Sequence, residues 1–148
     1  MRKLARALIT TGAAITVTIG MTTSASAAAN PVSACGSGYY VQESHDLGYY
    51  QGTGGPQARA YLLYNASSGY NCAVTIVVGG QNQGRVEARL RAAGDVVMTS
   101  DEGYYNSYAG PVKIKANGRC VEYGGGTDYW ASGSRHWDAW DSGLIHCG

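Results

Sequence analysis

The spread of the four cysteines constrains this chain more than any other feature of its sequence. Cys35, Cys72, Cys120 and Cys147 are dispersed along 148 residues, and no two form a C-x-x-C knuckle. Zinc binding through thiolate pairs therefore has no sequence support, which leaves cystine formation if the compartment is oxidising. The amino terminus supplies that compartment. A basic start (Arg2, Lys3, Arg6) is followed by an apolar, threonine-rich middle from Ala7 to about Met21 and then by Ser24-Ala25-Ser26-Ala27. The zoning is that of a signal peptide over residues 1–27, with Ala25 and Ala27 meeting the small-x-small rule for cleavage after Ala27. Six threonines between Thr10 and Thr23 make the same stretch a poor membrane anchor.

Cleavage there leaves residues 28–148 as one secreted domain, 148 less 27 or 121 residues long. All four cysteines lie in it, so two disulfides are expected. Three connectivities are open; the sequential one, Cys35 with Cys72 and Cys120 with Cys147, is favoured because each bond ties a chain end to an internal strand. Removing the leader also takes three of the eleven Lys and Arg, so eight face ten Asp and Glu, a formal charge of −2. No basic field is left to collect nucleic acid or anionic lipid, and no later run is long enough to cross a bilayer.

Past Asn30-Pro31, strand-like runs alternate with glycine-rich turns, and no segment keeps helical spacing for three turns. The fold class expected is all-β, a single antiparallel sandwich or flattened barrel of about seven or eight strands. Val86 to Ala92 is the clearest strand: Val86, Ala88, Leu90 and Ala92 alternate with Glu87, Arg89 and Arg91. Ala60 to Tyr64 and Cys72 to Val78 are apolar at consecutive positions, as in central strands buried on both faces, with 65–69 as their turn. Val112 to Lys115, Asn117-Gly118 and Arg119 to Tyr123 read as a hairpin carrying Cys120. Shorter runs at Gly38 to Gln42 and Val96 to Thr99 complete the set.

Catalytic signatures are missing from this pattern. His45, His136 and His146 sit in no nucleophile-base frame, and a bridged Cys147 is not a thiolate. The neighbours His45-Asp46 and Asp101-Glu102 suit surface turns. Glu43, Asp101, Glu102, Asp128, Asp138 and Asp141 supply carboxylates but form no glycosidase motif. Neither metal nor cofactor is expected, since Asp128, Asp138 and Asp141 lack the spacing of a calcium loop.

Twelve tyrosines and three tryptophans accompany no phenylalanine, so every large ring carries a polar handle. All three tryptophans, Trp130, Trp137 and Trp140, fall in eleven residues beside Arg135, Asp138 and Asp141. These six are the candidate ligand contacts, with indoles stacking on sugar rings and charged groups bonding hydroxyls; the alternative is that the rings cover the C-terminal disulfide. Asn65-Ala66-Ser67 matches the N-glycosylation triplet.

In combination, Ala34-Cys35-Gly36-Ser37-Gly38-Tyr39, Tyr61-Leu62-Leu63-Tyr64-Asn65, Gly69-Tyr70-Asn71-Cys72, Asp101-Glu102-Gly103, Tyr108-Ala109-Gly110-Pro111-Val112, Gly124-Gly125 after Cys120, and His146-Cys147-Gly148 carry a resemblance spanning the mature chain. The sequence resembles the spore-associated protein A family of streptomycetes and related filamentous actinobacteria. That resemblance implies a small protein exported by aerial hyphae and found with the spore surface, its partners being spore or cell-wall components. It brings no catalytic residue to this chain. The expectation is a secreted, non-enzymatic surface protein, with a carbohydrate-binding module acting through the tryptophan-rich face as the alternative.

Overall fold

A computed structural model describes residues 29–49, 55–78 and 84–148. The segment read as a signal peptide lies outside the described residues. Among those described, one short helix precedes eight strands: α1 (Pro31–Cys35), β1 (Tyr40–Tyr49), β2 (Pro56–Asn65), β3 (Tyr70–Val77), β4 (Arg85–Ala92), β5 (Thr99–Tyr104), β6 (Tyr108–Lys115), β7 (Val121–Ala131) and β8 (Ser134–Asp141). They form two antiparallel four-stranded sheets, ordered β1-β2-β3-β6 and β5-β4-β7-β8. The all-β sandwich with eight strands and two disulfides agrees with the sequence reading.

Alternation in β4 puts Val86, Ala88, Leu90 and Ala92 in the core between the sheets, where they meet Leu47, Ala58, Ala60, Leu62, Ala73, Val121 and Tyr123. The consecutive apolar residues of β3 have two covers. Ala73 faces the opposite sheet, whereas Cys72, Val74 and Ile76 join Leu63 and Cys35 in a second cluster beneath α1. Asn30 caps that helix, its Oδ1 accepting from Val32 N at 2.8 Å, and Pro31 opens it without losing a needed donor. Both bridges follow the sequential pairing: Cys35–Cys72 fastens α1 to β3, and Cys120–Cys147 fastens the C-terminal tail beside β7.

Three expectations need correction. The run from Val112 and the strand after Cys120 do not pair with each other: β6 joins β3 in one sheet and β7 joins β4 and β8 in the other. Asn117 and Gly118 do adopt left-handed φ values of 52° and 78°, and Arg119 N closes the turn on Ala116 O at 3.1 Å, but the turn passes the chain between sheets. Val96 and Val97 lie before β5, 93% and 76% exposed, so the strand begins only at Thr99. His45-Asp46 and Asp101-Glu102 belong to strands β1 and β5 instead of turns, which sends the members of each pair to opposite faces.

β7 also runs on through Gly124, Gly125 and Gly126 to Ala131. These glycines serve packing. A Cβ on Gly125 would stand 2.5 Å from Thr75 Oγ1 and 3.0 Å from the Ala60 methyl, so its absence lets the two sheets close up.

Candidate functional site

The tryptophan segment folds into the end of β7 and into β8, at one edge of the second sheet. Strand alternation decides where its side chains go. Trp130 pairs with Arg135, Asp128 with Trp137, and Gly124 with Asp141, and all of these project from the outer face. Asp138 and Trp140 belong to the other set and turn towards the first sheet. The six candidate contacts are thus divided, four outside and two inside.

On the outer face Trp137 lies across Gly126, filling the space a side chain there would occupy. The guanidinium carbon of Arg85 stands 4.0 Å from its ring centroid, so a cation already covers one face of the indole. Trp130 is 49% exposed, with Arg135 at 5.6 Å from its centroid. Charged pairs surround the rings. Arg85 reaches Glu102 at 3.2 Å, Arg89 bonds Glu87 and Asp141 at 2.6 Å each, and Arg91 Nε donates to Glu122 at 2.6 Å. Asp128 accepts from Arg85 N at 2.9 Å and lies 3.8 Å from Arg135. Of these, Arg85–Glu102 is exposed on both sides and contributes roughly 0.2–1 kcal/mol, whereas Arg89 and Glu87 are largely covered; together the pairs fix the guanidinium and carboxylate positions around the indoles. The signs alternate, and no single-sign field results.

Inside, Trp140 stacks on His45 with centroids 3.8 Å apart and 7° between planes, and meets Tyr123 edge-on at 5.4 Å. Asp138 Oδ2 accepts from Gly48 N at 2.7 Å, joining β8 to β1 across the sandwich edge. These two residues hold the sheets together. Trp140 packs on the main core.

The other carboxylates singled out have partners of their own. Glu43 sits 3.2 Å from His146 Nε2, and Asp101 accepts from Tyr105 Oη at 2.8 Å and Gly110 N at 2.6 Å. Asp46 pairs with Arg59, whose hydrogen bond holds its carboxyl below the usual range. Asn65 is a buried cap: its Oδ1 accepts from Ser67 N and Ser68 N, each at 3.1 Å, and its amide nitrogen donates to Ser37 O at 3.4 Å. The nitrogen a glycan would take is thereby engaged. Among the described residues no cluster of three or more His, Cys, Asp or Glu side chains is arranged to hold a metal ion, and no helix is long and apolar enough to cross a membrane.

Sequence reasoning missed the roles of Arg85, Gly126 and His45. The signal for the division of the tryptophans was present, because residues 137 and 140 differ by an odd number and must face oppositely in any strand.

The fold and this face define a small two-sheet β-sandwich, closed by two cystines, with an ion-paired, tryptophan-bearing outer surface. The chain belongs to the spore-associated protein A family: it is 42% identical over 118 residues to spore-associated protein A of Streptomyces coelicolor, a match covering 80% of this chain and 68% of the relative. No family model matches the chain, and no solved structure matches it.

Proposed function

We propose that this is a secreted, non-enzymatic protein of the spore or cell surface, retained there by contacts between its exterior and wall or spore-coat components. Kinship to a protein named for its association with spores carries the reading. Two cystines joining chain ends to strands suit a protein that persists outside the cell. The partnered state of every carboxylate considered for hydrolysis is in keeping with a role that needs no turnover. Fractionation of a sporulating culture tests this: the mature chain, beginning at Ala28, is expected in the culture fluid and the spore wash. Recovery only from the cytosol, with the leader intact, would overturn it.

A second reading is favoured by one observation, the shared outward face of Trp130 and Trp137. In it the protein is a carbohydrate-binding module that stacks wall polysaccharide on the exposed ring of Trp130, with the edge of Trp137 beside it, while Arg135 and Asp141 bond hydroxyls. Trp140 and Asp138 support the site from within. Pull-down on purified wall polysaccharide is expected to drop on Trp130→Ala and again on Trp137→Ala. Unchanged retention by the double variant removes this reading.

A further inference from the structure

Strands β1, β6, β5 and β8 are the outermost of the two sheets. An outer strand presents unpaired N–H and C=O groups that can recruit another strand, and three of the four are blunted against this. In β1 the register breaks between Val41 and Glu43, and Asp138 takes the Gly48 N–H at 2.7 Å. In β6 Pro111 has no N–H, and Asp101 takes that of Gly110 at 2.6 Å. β5 is the shortest strand, six residues with Asp101 and Glu102 side by side.

β8 has no such protection. Its eight residues keep an unbroken register with β7 and include no proline. Ser142 N donates to Tyr123 O at 2.9 Å, which fixes the phase of the ladder. Trp140, Asp138 and His136 therefore bond β7, and Arg135, Trp137, Ala139 and Asp141 aim their N–H and C=O groups at the open side. That side is also uncovered. The Trp137 indole leans back over Gly126, Gly48 of β1 lies above Thr127 and Tyr129 of β7 and so is set back from β8, and Arg135 and Ala139 are exposed.

A second β8 pairing here antiparallel has to match open residues with open residues, and three registers engage at least three of them. With Asp138 on the two-fold axis, two carboxylates face each other. With Ala139 on the axis, Asp138 faces Trp140 and Trp137 faces Asp141. With Trp137 on the axis, His136 of each copy faces Asp138 of the other, at positions where side chains stand closest, and Arg135 faces Ala139. His136 Nε2 already meets Ser134 Oγ at 2.9 Å, and Asp138 Oδ2 meets Gly48 N, which leaves Nδ1 and Oδ1 for this contact.

We infer that the protein forms a two-fold dimer through β8 in the third register, joining two four-stranded sheets into one continuous sheet. Trp137 exchanges both backbone bonds with its own copy, and Arg135 does so with Ala139. The complementary charges of β8 select a second copy of this chain as the occupant of the edge.

Sedimentation of the mature, oxidised protein from about 10 μM to about 1 mM tests this, with a dimer fraction that rises with concentration as the expected result. Ala139→Pro removes a donor that points away from β7, so it is expected to raise the dimer Kd by about tenfold or more with Tm little changed. Charge at position 139 reads the register, because that residue faces Arg135. Ala139→Lys is expected to raise the Kd by about threefold to tenfold, and Ala139→Glu to leave it equal or lower. These two variants decide the case even where proline lowers Tm. A parent that stays monomeric throughout, a dimer that persists in Ala139→Pro, or equal effects of lysine and glutamate each overturns the assignment.

Discussion

Trp137 occupies the space above Gly126: the indole crosses β7 where a side chain at 126 would stand, and Arg85 closes over the ring at 4.0 Å. The glycine is therefore required by its neighbour and not by its own backbone. Gly126→Ala is expected to displace the indole and cost about 1–3 kcal/mol, the usual penalty for overpacking. Urea unfolding measures the loss, and the change in tryptophan fluorescence locates it. An unshifted midpoint with an unchanged spectrum would mean the ring does not rest there.

The two cystines are expected to contribute unequally. Closing loops whose ends are 37 and 27 residues apart is worth about 3.8 and 3.5 kcal/mol in the chain-entropy model, a small difference. Burial separates them further, because Cys35 and Cys72 sit 1% and 0% exposed in the cluster beneath α1. Serine at both would leave two hydroxyls in an apolar site. The Cys35→Ser/Cys72→Ser variant is therefore expected to be less stable than Cys120→Ser/Cys147→Ser, as chemical denaturation of the two reports. The reverse order would show that the second cluster adds little.

Much of this architecture was legible in the sequence, and the losses have physical reasons. Val86 to Ala92 announced itself because one face meets the core and the other water, and β3 did so by apolar residues on both faces. The far half of β7 was hidden because the strand read from Arg119 ended at Tyr123, before Gly124, Gly125 and Gly126, which sit in the middle of the strand where Thr75, Ala60 and Trp137 leave no room for side chains. Asn117-Gly118 specified a tight turn correctly and its partners wrongly, since a turn fixes a reversal of direction and does not decide which sheet each strand joins. Grouping the tryptophans by proximity in sequence failed for a related reason: a strand sorts side chains by parity, and His45, which takes up Trp140, lies nearly a hundred residues away.

Acid lability is expected to involve Asp46. Its hydrogen bond from Arg59 holds the folded-state carboxyl below the ordinary value of about 3.9. A lowered folded pKa contributes stability that is present above the unfolded value and lost as pH falls through the folded one. Unfolding free energies taken at pH 7, 5 and 3 are expected to decline most over the last interval. Asp46→Asn is expected to lower stability at pH 7 and to flatten the acid limb. A limb as steep in the variant as in the parent would assign the lability to other carboxylates.

The alkaline side belongs to Tyr123. Its ring is fully buried, edge-on to Trp140, and its hydroxyl has no partner among the described residues. Burial, with a smaller push from Glu43, raises its pKa to about 12, whereas the unfolded chain ionises near 10. Above pH 10 the unfolded state gives up this proton and the folded state does not, so stability is present below that value and falls as pH rises towards 12. One tyrosine is accordingly expected to titrate well after the exposed ones in the 295 nm absorbance. Tyr123→Phe removes the hydroxyl while keeping the ring contacts. Because a buried, unpaired hydroxyl costs free energy, that variant is expected to be at least as stable as the parent at pH 7 and to lose less between pH 10 and 12. Marked destabilisation by the substitution would reveal a hydrogen bond that the packing around Trp140 conceals.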